Sequence, residues 1–147
     1  MTETLQGTIL IPRLAELAEF RYQLRTFLSF SESASEEFGI AAQQYQLLQV
    51  IGAVPDGQRA SISYLAERMI LRHNSMVELV DRAEKAGLVE RKADTSDLRR
   101  SLVQLTPQGW AILEKLVALH LDELGRRANA MIGSLHKVTD TGVDVQR

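Results

Sequence analysis

From Ser75 to Leu88 the chain reads SMVELVDRAEKAGL, and Met76, Leu79, Val80 and Ala83 recur at i, i+3, i+4 and i+7. That spacing predicts a helix with one apolar stripe, off which Val77, Glu78, Asp81, Arg82 and Lys85 fall. Gly87 suits the position just past the helix, where a positive φ is needed, and Leu88 can tuck back against the last turn. Upstream, Leu65, Ala66 and Met69 mark the buried edge of a shorter helix over Ser63 to about Met69, with Ser63 as its expected N-cap. The connector Ile70–Asn74 holds two apolar anchors and three polar residues. Such a turn crosses two helices steeply and presents the start of the second one outward.

Next, Val89–Lys92 and Ser101–Leu105 have strand composition on either side of a charged run, Ala93–Arg100, rich in turn formers. This predicts a β-hairpin with a long tip. Thr106 then suits an N-cap and Pro107 a first helical position, where its missing N–H costs nothing. Helix, turn, helix, charged hairpin and helix make the plan of a winged helix-turn-helix, a mainly α fold with a small β component.

The flanks read as helices with too much apolar surface. Pro12 to Phe30 predicts one long helix, with Leu14, Leu17, Leu24 and Leu28 on one face, Phe20, Phe27 and Phe30 beside it, and Ile9–Ile11 ahead of it. Ala41 to Val54 is apolar nearly all round at Tyr45, Leu47, Leu48, Val50 and Ile51, hence buried, and Pro55-Asp56-Gly57 breaks it. After Pro107 come Ile112, Leu113, Leu116, Val117, Leu119, Leu121 and Leu124, with Gly125 and Gly133 punctuating the remainder. The final TDTGVDVQR reads as a polar, frayed tail.

Composition narrows the chemistry. A chain of 147 residues, 45% hydrophobic and 24% charged, fits one ordinary globular domain. The absence of cysteine removes disulfides, thiolate zinc sites and thiol switches. No 18-residue apolar run predicts a membrane span, and the start has no secretory pattern, so a cytoplasmic location is expected. The three histidines, His73, His120 and His136, share no metal-ligand spacing, and no hydrolase or phosphate-loop motif occurs. His120, Asp122 and Glu123 would not converge on one point of a helix. The expectation is therefore no enzyme, no cofactor and no metal. Net charge is −2, without the basicity that advertises a nucleic-acid binder. Residues 61–105 hold eight Lys/Arg against seven Asp/Glu, whereas residues 1–60 hold four against seven. Placement rather than total charge must then do the work, with Arg72 at the helix start and Arg91, Lys92, Arg99 and Arg100 around the hairpin.

Asp97-Leu98-Arg99 followed by Leu105-Thr106 and Gly109 resembles the D-x-R…L-T-x-x-G signature of the MarR family of bacterial transcription regulators. Leu65-Ala66-Glu67-Arg68, Val80-Asp81-Arg82 and Gly87-Leu88-Val89 match that family's two helix segments in order and spacing. The resemblance implies a single domain. In it, about 41–105 form the DNA-binding lobe, about 5–38 and 106–138 a helical dimerisation region, and 139–147 a disordered tail. It further implies a homodimer, repressing from a pseudo-palindromic operator in double-stranded DNA.

On that reading Asn74 and Ser75 hydrogen-bond base edges, Val77 meets a thymine methyl, and Glu78 accepts from a cytosine amino group. Ser63 lies near the duplex, and Arg72 and His73 serve phosphate or base. Arg82 takes a salt bridge or a phosphate. Glu78 departs from the basic or polar residue common in relatives. In the hairpin, Arg99 enters the minor groove, where negative potential concentrates. Arg100 is a second phosphate contact or a solvated charge, Asp97 braces the hairpin or Arg99, and Leu98 plugs the wing base. The family's small aromatic or anionic effectors would sit near Phe20, Tyr22, Phe27, Phe30, Tyr45, Trp110 or His120. Two other readings remain: a winged helix that docks a protein instead of DNA, and a metal-responsive regulator.

Overall fold

A computed structural model describes residues 2–140, with side chains from Arg13 onward. In chain order the elements are α1 (Thr2–Glu37), α2 (Ala42–Gly52), α3 (Ile62–Met69), α4 (His73–Lys85), β1 (Val89–Ala93), β2 (Ser101–Leu105) and α5 (Pro107–Thr139). The mainly α winged-helix plan is the observed one, with longer outer helices than the sequence suggested. Ile9–Ile11 lie within α1, and α5 runs unbroken through Gly125 and Gly133. A helix-interior glycine costs only about 1 kcal/mol, too little to end a long helix of good formers. Of the expected tail, Thr139 still belongs to α5 and residues 141–147 lie outside the described ones.

The chain forms two compact units, Glu32–Leu119 and a second made of the residues up to Ser31 and from His120 onward. In the first, α2, α3 and α4 pack on the antiparallel pair β1–β2, whose register runs from Val89 opposite Leu105 to Ala93 opposite Ser101. Ser61 bridges Leu102, and Val103 donates its amide to the Ala60 carbonyl, so residues 60–61 edge β2. The core gathers Leu47 and Leu48 from α2, Leu65 from α3, and Met76, Leu79, Val80 and Ala83 from α4. Leu88, Val89, Val103, Leu105, Leu113 and Leu116 complete it. The stripe expected on α4 is thus entirely buried, and it supplies most of the hydrophobic stabilisation of that helix, since propensity contributes little.

The second unit is built differently. Among its described residues the buried side chains are polar: Ser31, His120, Glu123 and Ser134. Leu14, Leu17, Tyr22, Leu28, Leu121, Leu124, Ile132 and Leu135 are exposed. Isolated exposed leucines are ordinary, but a unit that exposes its large apolar side chains and buries polar ones has not satisfied its own surface.

Three local expectations around α3 fail. The N-cap is Ser61, whose extended backbone lets its Oγ accept from the Tyr64 amide at 3.2 Å; Ser63 is an exposed residue of the first turn. Ile70 is no anchor: it adopts φ 55°, closes the end of α3 and is 91% exposed. The connector is also shorter than expected, because α4 begins at His73.

Candidate nucleic-acid interface

Burial of the α4 stripe dictates what faces outward. His73, Asn74, Ser75, Glu78, Arg82 and Lys85 are exposed and Val77 is half-buried. Arg72 is the N-cap, with φ −68° and ψ 153°, and no side chain caps the first turn. At the other end Gly87 takes φ 76°, which lets its amide reach the Glu84 carbonyl and the Leu88 amide the Ala83 carbonyl, each at 3.0 Å. This paired closure turns the chain sharply from α4 into β1.

Arg91 then ties the hairpin to the helix. Its guanidinium meets Asp81 at 2.6 Å and Glu84 at 2.9 Å, and its backbone amide donates to the same Glu84 carboxylate at 3.1 Å. Two of the three acids on α4 are thereby matched. Glu78 forms no ion pair among the described residues, so it stands as an exposed acid on the outward face.

At the hairpin tip one carboxylate organises two cations. Asp97 Oδ1 accepts from the Arg99 amide at 3.1 Å and from its Nε at 3.3 Å, while Oδ2 accepts from Arg100 Nε at 3.3 Å. The Arg99 amide first, and then the two guanidinium groups, hold the Asp97 carboxyl below the usual carboxylate range. Arg99 is nevertheless 92% exposed, free to reach a partner. Leu98 does not plug the wing base; it is 83% exposed, because the turn directs it away from the hairpin core.

A cleft of about 370 Å³ lies between the start of α3, the start of α4 and the hairpin, and Ser63, His73, Val77, Arg91, Arg99 and Arg100 line it. Of the residues singled out in the sequence, these six thus converge on one concavity, while Asn74, Ser75, Glu78 and Arg82 continue along the exposed face of α4. Arg82 is outside the ion pairs of the described residues. An interaction missed in the sequence lies at the hairpin's shoulder. Asp94, 1% exposed, accepts from Arg59 and, at 2.9 and 2.8 Å, from the amide and hydroxyl of Ser96. The Asp-Thr-Ser run signals the local turn, but nothing in the sequence marks Arg59 as its partner.

The residues named for an effector divide between the two units. Phe27 and Phe30 meet the buried His120 ring edge-on, at centroid distances of 6.0 and 5.4 Å, and a His120 ring nitrogen lies 2.8 Å from Ser31 Oγ. Phe20 is half-buried and Tyr22 exposed in that same unit. Tyr45 belongs to the core of the other unit, where burial pushes its hydroxyl pKa up, and Trp110 is half-exposed on α5. No cluster of potential metal ligands occurs among the described residues.

The profile of the MarR family matches residues 38–100, the stretch that contains α2, α3, α4, β1 and the hairpin tip as far as Arg100. Over that stretch the chain is similar to the MarR family. A protein of Thauera aromatica named as a transcriptional regulatory protein for the hcr operon is 31% identical over 96 residues. That match covers 65% of this chain and 56% of the relative, so the chain spans little more than half of its length. The crystal structure of AbsC, a MarR family transcriptional regulator from Streptomyces coelicolor, superimposes with a TM-score of 0.64 at 25% identity. It covers 71% of this chain and 70% of AbsC. The transcriptional regulator MOSR of M. tuberculosis, crystallised in complex with DNA, matches with a TM-score of 0.58 at 25% identity. There the coverage is 74% of this chain and 77% of MOSR. No described helix is long and apolar enough to cross a membrane.

Proposed function

We propose that this protein is a double-stranded DNA-binding transcriptional regulator that acts by binding rather than catalysis. The observation that carries the reading is the cleft in which His73 and Val77 of α4 face Arg99 and Arg100 of the hairpin. A duplex offers both kinds of surface such a cleft needs: base edges for the start of a helix in the major groove, and phosphates beside it for arginines. Asn74 and Ser75 then read base edges, Val77 packs on a thymine methyl, and Arg72, His73, Ser63 and Arg100 hold the backbone. Arg99 enters the minor groove, and Arg82 takes a phosphate further along. The likeness to the MarR family over residues 38–100, and to a regulator crystallised with DNA, supports the same reading.

The working form is a homodimer repressing in the cytoplasm, with residues of about 5–38 and 106–138 as its dimerisation region. The exposed leucines of the second unit support this, since a second copy would cover them. Two α4 helices a groove repeat apart, about 34–36 Å, call for a pseudo-palindromic operator. A small aromatic or anionic effector releases the DNA if it prefers a dimer whose α4 spacing mismatches the operator; equal affinity for both states would shift nothing. The edge-on Phe27, Phe30 and His120 cluster suits such a ligand.

Fluorescence anisotropy with a labelled duplex tests the core of the proposal. Affinity is expected to fall steeply between 50 and 200 mM salt, as arginine-phosphate contacts release counterions. Absence of binding at 50 mM salt, or binding indifferent to salt, overturns it and leaves a protein-docking winged helix in its place.

A further inference from the structure

The wing arginines are held from outside the hairpin as well as from within it. Asp94 follows β1 directly, its amide donates to the Arg100 carbonyl at 3.1 Å, and that bond closes the neck of the loop carrying Arg99 and Arg100. Its side chain is 1% exposed and receives the Ser96 amide, the Ser96 hydroxyl and the guanidinium of Arg59 on Oδ1, while the buried Oδ2 has no hydrogen-bond partner. Arg59 belongs to the segment between α2 and α3, and the next two residues edge β2 through the Ala60 carbonyl and the Ser61–Leu102 bridge. Arg59 supplies the cation facing this buried carboxylate. Without it, a buried charge loses its compensation, and such a charge moves its surroundings until it is solvated.

We infer that Arg59 and Asp94 are a positioning pair for DNA binding, which fixes where the loop 94–100 presents Arg99 and Arg100 beside α4. The inference rests on the proposed DNA-binding reading and adds to it two residues outside the cleft. Asp94 gives it a sign that simple electrostatics does not share. Removing a negative charge from a DNA-binding lobe should tighten its hold on phosphates. A positioning role demands the opposite, because the two wing arginines lose their register.

The experiment compares the full-length protein with Arg59→Gln, Asp94→Asn and Arg59→Lys, alone and with Arg99→Ala, by anisotropy on one labelled duplex at several salt concentrations. Arg59→Gln and Asp94→Asn are each expected to weaken binding roughly tenfold and to lower the salt slope by about one. Arg99→Ala should then cost little more in either background, and Arg59→Lys should retain most of the affinity. Circular dichroism should show the same helix content throughout. Binding by Asp94→Asn that equals or exceeds the parent, or losses that simply add to that of Arg99→Ala, overturns the inference. A parent protein that binds no duplex sinks the DNA-binding reading instead. Hydrogen exchange then still decides the pairing: amides of residues 94–100 should exchange faster in Arg59→Gln while those of α4 do not, and unchanged loop exchange refutes it.

Discussion

A β-carbon at position 109 would lie 2.1 Å from the carbonyl oxygen of Leu88. The first turn of α5 passes directly over the start of the hairpin, and Thr106 fixes that crossing. Its amide donates to the Leu88 carbonyl at 3.1 Å, its hydroxyl donates to the Gly87 carbonyl at 2.6 Å, and the same oxygen accepts from the Gly109 amide at 3.0 Å. The Leu-Thr-x-x-Gly signature is thus a backbone junction: Leu105 is buried, Thr106 caps the helix and ties it to the turn after α4, and Gly109 lets the two backbones touch.

Gly109→Ala therefore cannot be accommodated without moving α5 or the hairpin. Overpacking against backbone should cost about 2–3 kcal/mol, and thermal denaturation should show a fall in Tm of roughly 5–10 °C. Gly87→Ala meets a side-chain atom, Gln108 Oε1 at 3.1 Å, and a positive φ, a milder obstacle that predicts about 1 kcal/mol. Equal Tm values for Gly109→Ala and the parent would show that the junction is looser than these distances require.

The contrast between α4 and the wing shows what the sequence can disclose. The stripe of Met76, Leu79, Val80 and Ala83 is a local periodicity, so the helix, its buried face and hence its exposed face were legible from spacing alone. So were Thr106 as a cap and Asp97 beside two arginines, because each interaction spans only a few residues. Arg59 with Asp94 and Arg91 with Asp81 were not legible: they join residues 35 and 10 positions apart, and the pairing exists only once the chain has turned. Ser61 and Ser63 differ by two positions in a serine-rich run, and only the extended backbone at Ser61 decides which one caps α3.

The two carboxylates of the hairpin loop, Asp94 and Asp97, carry a pH signature. The Ser96 hydroxyl and amide first, with Arg59 adding to them, hold the Asp94 carboxyl below the usual range, and the Arg99 amide leads the same effect on Asp97. A carboxylate depressed in the folded state stabilises it at every pH above the unfolded pKa, about 3.9, and loses that contribution as pH falls through the folded value. Between pH 6 and 8 neither group should alter stability. Below about pH 4 the Tm difference between the parent and Asp97→Asn should shrink towards zero. A difference that persists undiminished to pH 2 would remove Asp97 from this role.

The residues proposed to face DNA on α4 and the hairpin should be readable one at a time. Arg99→Ala is expected to weaken binding to every duplex and to reduce the salt slope by about one. Asn74→Ala should instead alter which operator variants bind, at about 1–3 kcal/mol if its contacts are bidentate. If α4 meets a duplex as proposed, Glu78, the acid on α4 that Arg91 does not neutralise, opposes nearby phosphate. Glu78→Gln should therefore tighten binding to nonspecific duplex at low salt, with the gain vanishing as salt rises. Titrations against a panel of operator variants separate the three effects. A uniform loss from Asn74→Ala would reassign that residue to the phosphates, and no gain from Glu78→Gln would place position 78 away from the duplex.

The exposed leucines of the terminal helices make the last prediction, because the described residues of that unit bury no large aliphatic side chain. Leu17 is 51% exposed and Leu121 66%, values that leave much apolar area for a partner to cover. At about 25 cal/mol per Å², covering several such side chains on two copies is enough to drive association of an ordinary interface. Sedimentation equilibrium at micromolar concentration should find a dimer. Leu17→Glu and Leu121→Glu should each shift it towards monomer without loss of helix content, since neither side chain belongs to the core of Glu32–Leu119. DNA affinity should fall with the dimer: a monomer engages one half-site and forfeits the avidity of two, a loss on the order of 100-fold. Variants that remain dimeric and bind DNA as tightly as the parent would show that these leucines face solvent in the working protein and that the proposed pair of α4 helices is coupled through some other surface.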